Sequence, residues 1–308
     1  LGDGQVFNVA IEHRLMHAET LAYMYTWLPP DRKQPQSDQN VPSDPLVKPH
    51  QVEIPAGMAT LGMTRNSAFG WDNEFDLTLT EVPGFRIDTY NVTNREFMEF
   101  VQAGGYSERS LWNDREWEWI TREDIRHPRF WYQNVDGWQQ RNMFDECPLP
   151  SSWPVYVSHA EATAFARWVG RTLPTEAHLH RAAYGTPNGK ENAFPWGDAP
   201  PDLKHGNFDF LRWNPTPVGC HPAGNSTFGV ADLLGNGWEW TSTLFEPFNG
   251  FERFSFYPGY SADFFDGNHY VMKGGSSRTA ACMLRRSFRN WFQPHYPHIY
   301  STFRCVEA

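Results

Sequence analysis

Several things are scarce in this sequence. No run approaches the roughly 18 apolar residues of a membrane span, and no signal-peptide pattern opens it. Only four cysteines occur, Cys147, Cys220, Cys282 and Cys305, too far apart for any Cys-x-x-Cys pair. That spacing excludes the usual zinc-knuckle and thioredoxin-like readings. Reduced thiols in a cytoplasmic protein are the expectation, while the even count leaves disulfides open. Charge is scarce too: 20% of residues are charged, and the formal net charge is -10. Basic residues stand singly apart from Arg285, Arg286 and Arg289. An acidic chain without a basic stripe is expected to use neither nucleic acid nor an anionic membrane as its main partner.

Large rings and turn formers are abundant: 14 Trp, 12 Tyr, 23 Phe, 24 Gly and 24 Pro among 308 residues. Disordered chains are aromatic-poor, so this composition implies a compact fold whose long irregular loops are pinned by rings. The length allows one large domain or two ordinary ones.

The most regular stretch comes first. From Gln5 to Leu28 there is neither proline nor glycine, and Pro29-Pro30 then stops the pattern, which predicts one helix. His13 and His17 lie four apart on one face of it, the spacing at which a helix offers two imidazoles to one metal ion. Glu19 points about 200° away from His17 around the helix, so it cannot join them as a third ligand. Arg14 occupies the place of the glutamate in His-Glu-x-x-His, which excludes a zinc-protease site. By itself the pair reads equally as a metal site or as two histidines on a polar face. One amphipathic helix cannot bury its own apolar face, so earlier helices of a bundle are expected to precede Leu1.

Residues 29–50 are rich in Pro, Asp, Gln and Ser and read as a linker. Two short strands around a Pro/Gly turn are expected over 51–63, and another over 85–88. Thr93 should cap a helix over 94–102, and Ser158 one over 159–169. A third helix is expected to start within 171–176 and run to about Tyr184. Few elements are expected over 106–153, and 185–308 reads as loop-heavy and strand-poor.

Seven segments in order carry a resemblance. They are Asn-Val-Thr-Asn-Arg-Glu-Phe at 91–97, Pro-Val-Tyr-Val-Ser at 154–158, Arg-Thr-Leu-Pro-Thr-Glu-Ala at 171–177 and Phe-Pro-Trp-Gly at 194–197. Gly-Val-Ala-Asp-Leu-Leu-Gly-Asn-Gly-Trp-Glu-Trp-Thr at 229–241, Lys-Gly-Gly-Ser at 273–276 and Phe-Arg-Cys at 303–305 complete the series. Together they resemble the formylglycine-generating, or sulfatase-modifying factor, domain over about 51–308. That resemblance implies a loop-rich variant of the C-type-lectin fold. Formylglycine-generating enzymes bind copper through a Cys-x4-Cys pair after Lys-Gly-Gly-Ser; here only Cys282 stands there, which argues against that activity.

His13, His17, Glu19 and Tyr23-Met24 in turn resemble the His-x3-His-x-Glu signature of a DinB-type helical bundle. The combination resembles the sulfoxide synthases of ergothioneine biosynthesis. The resemblance implies an α+β chain: residues 1–28 as the last helix of a DinB-like bundle, 29–50 as linker, and 51–308 as the lectin-like domain. It implies Fe(II) as cofactor and O2 as co-substrate, with His13 and His17 as two of three histidine ligands and the third upstream of Leu1. Hercynine and either cysteine or γ-glutamylcysteine would be the substrates.

Asn290-Trp291 resembles the family's hercynine-contacting pair: an indole face holds a trimethylammonium, and an amide can bond a carboxylate. Taken alone, Trp291 reads as one more core aromatic. Met16 either lines the pocket or simply packs. An acidic residue follows Asn-Trp in the best-known branch; here it is Phe292, which points to the branch that uses free cysteine. Tyrosines stand after Trp-Glu-Trp-Thr-Ser in that branch, one of them a proton donor, where this chain has Phe245 and Phe248. The donor is therefore expected elsewhere, possibly before Leu1. Phe245, Phe248 and Phe292 thus join Asn290, Trp291 and Met16 as expected substrate neighbours. Arg285, Arg286 and Arg289 suit substrate carboxylates or structural pairs equally, and Cys282 and Cys305 are expected to pack as small apolar side chains. Alternatives are a selenoneine- or ovothiol-type synthase, or a non-catalytic lectin-like binding module.

Overall fold

The computed structural model describes residues 4–34, 36, 43–65 and 67–307. The first helix, α1, spans Gln5–Thr26 and ends at Trp27, just before the two prolines. None of the described helices is long and apolar enough to cross a membrane. Residues 35 and 37–42 of the expected linker lie outside the described residues; 43–50 run without regular structure.

The strands β1 (Gln51–Ile54), β2 (Gly57–Leu61), β3 (Thr78–Val82) and β4 (Phe85–Asp88) follow. β1 and β2 flank the anticipated Pro/Gly turn, yet they do not pair with each other: β1 pairs with β4 and β2 with β3. Helices α2 (Asn94–Gln102), α3 (Asp114–Arg122), α4 (His159–Trp168) and α5 (Glu176–Tyr184) all begin the same way. Thr93, Asn113, Ser158 and Thr175 each accept a hydrogen bond from the backbone N–H three residues on, satisfying a donor that the helix start leaves unpaired. The Asn113 cap and α3 lie where few elements were expected, as do β5 (Trp131–Asn134), β6 (Gly137–Arg141) and β7 (Glu146–Pro148), an antiparallel meander.

Strands occupy only a small part of residues 185–308, as expected, but none of them was placed from the sequence. Strands β8 (Gly237–Leu244), β9 (Tyr270–Gly275), β10 (Asn290–Phe292) and β11 (Ser301–Thr302) form a four-stranded sheet in the order β10-β9-β8-β11. The first five residues of β8 are all buried, so both faces are covered and no in-out alternation advertises the strand. The last strand, β12 (Val306–Glu307), returns to pair with β4, stitching the end of the chain to its beginning.

The motif residues hold this frame. Glu239, between Trp238 and Trp240 of β8, takes a two-point ion pair from Arg304, with both contacts at 2.7 Å in a fully buried setting. Arg304 also donates to the carbonyls of Asp88, Thr89 and Ala231, so few of its donors are left unmet. Gly274 has φ +92°, and a Cβ there would lie 2.8 Å from the Leu233 carbonyl oxygen, which explains glycine in Lys-Gly-Gly-Ser. Cys305 is buried as anticipated, whereas Cys282 is exposed on a single 3-10 turn rather than packed.

Candidate functional site

Helix α1 lies against the sheet and its loops through one stripe: Val9, Glu12, Met16, Glu19, Tyr23 and Thr26 recur at helical spacing. The stripe is held by carboxylates as much as by apolar contact. Glu12 receives two hydrogen bonds from Arg285, at 2.6 and 3.0 Å, and one from the Trp71 indole at 2.8 Å. Arg285 also binds Glu74, which takes the hydroxyl of Ser287. About two turns further on, Glu19 accepts from Trp238, Ser276 and Thr279 at 2.8, 2.5 and 2.9 Å. Burial pushes the Glu19 carboxyl above its usual pKa range, and its three donors oppose that shift. Thr26 completes the stripe with a 2.7 Å contact to the Tyr300 hydroxyl.

His13 and His17 occupy the neighbouring face, with ring centroids 4.4 Å apart. Burial first, then the proximity of His17 and Arg14, lowers the pKa of His13, so its ring is neutral near pH 7 and keeps a lone pair to offer. Glu19 points away from them, as its position on the helix required. Among the described residues no cluster of three or more His, Cys, Asp or Glu side chains could hold a metal. The donor set therefore fits two nitrogen ligands of one ion, and the described residues do not supply a third.

A cavity of about 450 Å³ lies against the Met16, Glu19 and Tyr23 side of α1, and neither His13 nor His17 is among its lining residues. Met16, Asn290, Trp291 and Phe292 all line it, as anticipated, together with Tyr260 and Tyr296. No lysine or arginine contributes to its wall, and its one carboxylate, Glu19, is already committed to three donors. Asn290 Oδ1 accepts the Trp291 backbone N–H at 2.9 Å, which leaves its amide NH2 as a donor for a ligand. Trp291 is pinned by Phe245, stacked on it at 4.2 Å, and by the Tyr260 ring at 5.4 Å. Phe292 stacks on Tyr296.

Phe245 and Phe248 do not line the cavity. Phe245 is fully buried behind Trp291, and both rings lie beneath the Arg289 guanidinium, at 5.1 and 4.3 Å. The three arginines take structural partners: Arg285 pairs with Glu12 and Glu74, Arg286 with Glu191, and Arg289 with Glu176.

Two residues were missed in the sequence. The Tyr257 hydroxyl is 3.3 Å from His13 Nε2, and the Tyr260 hydroxyl is 3.7 Å from Met16 Sδ. Phenylalanines directly after Trp-Glu-Trp-Thr-Ser do not leave the site without a hydroxyl; the tyrosines come nine and more residues later. The loop that carries them is tied down by Asp72, which accepts from the Ser261 hydroxyl at 2.6 Å and from the Phe254 N–H at 3.4 Å. Tyr260 stacks on Trp71 at 3.8 Å. One short turn, Asp72–Glu74, and the Trp71 before it thus hold both the tyrosine loop and the histidine helix. The signal available was Phe-Tyr-Pro-Gly-Tyr at 256–260, an aromatic turn in an otherwise featureless stretch.

A lectin-like frame of small sheets, crossed by a helix that carries an imidazole pair, defines the class. The model of the sulfatase-modifying factor enzyme 1-like domain matches residues 37–308, and the chain belongs to that family. Within it, the chain is a relative of the hercynine oxygenases: it is 35% identical to the hercynine oxygenase of Mycolicibacterium thermoresistibile, over 99% of this chain and 69% of that protein. It is also 28% identical to ergothioneine biosynthesis protein 1 of Neurospora crassa, over 98% of this chain and 43% of that protein. The solved structure of PvdO from Pseudomonas aeruginosa shares the fold, with a TM-score of 0.54 and 18% identity over 83% of this chain and 93% of that one.

Proposed function

We propose that this chain belongs to a non-haem Fe(II), O2-dependent sulfoxide synthase that joins hercynine to a thiol in ergothioneine biosynthesis. The observation that carries this reading is the meeting of two elements from opposite ends of the chain. The helix that carries the imidazole pair puts Met16, next to His17 in sequence, into the wall of an aromatic cavity that is free of lysine and arginine and ends on Asn290 and Trp291; the loop that gives this wall Tyr260 also brings Tyr257 to His13. The relatives' names, hercynine oxygenase and ergothioneine biosynthesis protein 1, agree with it.

His13 and His17 would hold the iron, with the third imidazole outside the described residues, on an earlier helix of a DinB-like bundle of which residues 1–28 are the last. Iron bound there supplies O2 activation. Overall, one C–H and one S–H bond are lost, a C–S bond forms, one atom of O2 ends on sulfur and the other leaves as water. The Trp291 ring, with its aromatic neighbours, suits the trimethylammonium of hercynine, a contact worth about 0.5–2 kcal/mol. The Asn290 NH2 can donate to its carboxylate. Tyr257 holds its proton beside His13 Nε2 and serves as the hydroxyl donor at the reacting centre. Phe292 leaves no charged partner for a γ-glutamyl group in this wall, which favours free cysteine as the thiol.

Replacing His13 or His17 by Ala should abolish iron loading of the full-length protein; retention of a full equivalent overturns the ligand assignment. Product mass with hercynine and either cysteine or γ-glutamylcysteine identifies the thiol, and faster turnover of γ-glutamylcysteine overturns the cysteine assignment.

A further inference from the structure

A second cavity, of about 540 Å³, lies on the other side of the segment that closes the first. Residues 293–299 form a wall between them: Gln293, Tyr296 and Ile299 face the first cavity, and His295, Pro297 and His298 the second. Helix α1 is divided likewise, with Tyr23 on one side and Trp27 on the other. The two cavities differ in chemistry. Aromatic rings line both, but the second adds Arg126, Arg129 and Arg141.

Its carboxylates are spoken for. Asp124 pairs with Arg126 at 2.9 Å, and Glu123 with Arg122 at 3.1 Å. Glu161 accepts from the Tyr106 hydroxyl and from the backbone N–H and hydroxyl of Ser158. Arg141 pairs with Glu146 outside the cavity. Arg129 is different: it lies 5.2 Å over the Trp27 ring, and no carboxylate among the described residues comes within ion-pair distance of it.

Four ring nitrogens on the lining residues also have no hydrogen-bond partner: Trp27 Nε1, Trp131 Nε1, His295 Nε2 and His298 Nδ1. Trp131 is only 2% exposed, so its indole N–H has been removed from water without replacement. All four are closed off from the cavity by their neighbours, so what the wall offers an occupant is the faces and edges of these rings together with the Arg129 guanidinium. Flat walls reinforce the point. His295 stacks on Trp119 at 4.9 Å and His298 meets Trp27 edge-on at 5.2 Å, which fixes both imidazoles. A guanidinium with no carboxylate partner, standing among flat aromatic walls, suits an anion, and its planar fork matches a carboxylate.

We propose that this second cavity is a binding site for a small, amino-acid-sized carboxylate, separate from the candidate active site and sharing the 293–299 wall with it. The ligand's carboxylate meets Arg129 and its body lies among Trp27, Trp119 and Tyr132.

Calorimetric titration of the full-length protein with L-glutamate, with inorganic phosphate as the competing anion, tests this without iron or O2. Saturable binding of glutamate is expected at millimolar concentration or below. Arg129→Gln, an exposed position, should weaken it roughly tenfold or more, as loss of a charged hydrogen-bond partner does, while Asn290→Ala in the first cavity leaves it unchanged. No binding, equal binding of phosphate, or weakening by Asn290→Ala but not by Arg129→Gln would each overturn the proposal. A crystal soaked in glutamate that shows only ordered water at Arg129 would do so as well.

Discussion

The two glutamates and the two histidines of α1 share a helix but lead opposite lives. Glu12 and Glu19 meet three protein donors each, supplied by residues 59 to 273 positions away in sequence. His13 has one long contact to Tyr257, and His17 touches only the His13 ring among the described residues. A side chain whose needs are met by its own chain is part of the frame. One that is fixed in place yet left with free nitrogens is available to something else. The same sorting applies to the arginines: Arg285, Arg286 and Arg289, which suited substrates or structural pairs equally, turn out to be frame, while Arg129, which drew no notice in the sequence, has no carboxylate partner among the described residues.

The largest effect that could break this division is expected at Arg285. Arg285→Ala leaves Glu12 and Glu74 facing each other in a largely buried setting, at a cost of about 3–5 kcal/mol. Denaturant unfolding measures it. A loss below about 1 kcal/mol would mean that α1 is held by apolar contact alone.

Next comes Glu19→Gln. The amide keeps one acceptor oxygen but turns a second acceptor into a donor facing Thr279, for an expected loss of about 1–3 kcal/mol. Unchanged stability would place Glu19 among the free residues.

A buried histidine sharpens the contrast from the other side. His159 stacks on Tyr270 at 3.7 Å and contacts the Thr241 carbonyl through Nε2. Burial lowers its pKa from 6.5 to about 3. Between those values the unfolded chain binds the proton and the folded one does not. Stability is therefore retained above pH 6.5 and lost as pH falls towards 3, by about 1.4 kcal/mol per pH unit from this group. Stability curves of the parent and His159→Gln should converge on acidification through that window; parallel curves would contradict the assignment.

The smallest effect should come from His17→Gln, which removes an exposed ring with no protein hydrogen bond. Folding stability should change by no more than about 0.5 kcal/mol, while iron loading is lost. A large destabilisation would return His17 to the frame.

Much of the site's vocabulary was legible. The imidazole pair, the direction of Glu19 and two of the four helix caps, Thr93 and Ser158, follow from spacing and local chemistry, because helical geometry is a property of a few consecutive residues, whereas the Asn290-Trp291 pair was legible only through the family resemblance. The tyrosines were not legible, since Tyr257 and Tyr260 lie in a loop whose path is set by Asp72, nearly 190 residues earlier. Phe245 and Phe248 misled for the same reason: their place in sequence is near the site, but the chain after β8 carries Phe245 behind Trp291 and both rings under Arg289. Strand β8 was hidden because burial on both faces removes the alternation that marks a half-buried strand.

By itself the sequence determined that a helix would offer two histidines on one face, and that a loop-rich aromatic domain would follow. Only the tertiary structure decided what those histidines stand beside. Hydrogen bonds from Arg285, Trp238, Ser276 and Thr279 fix the rotation of α1, and such contacts join residues more than 200 positions apart. No local pattern encodes them; they exist once the chain has folded and the unmet donors of one region find the carboxylates of another.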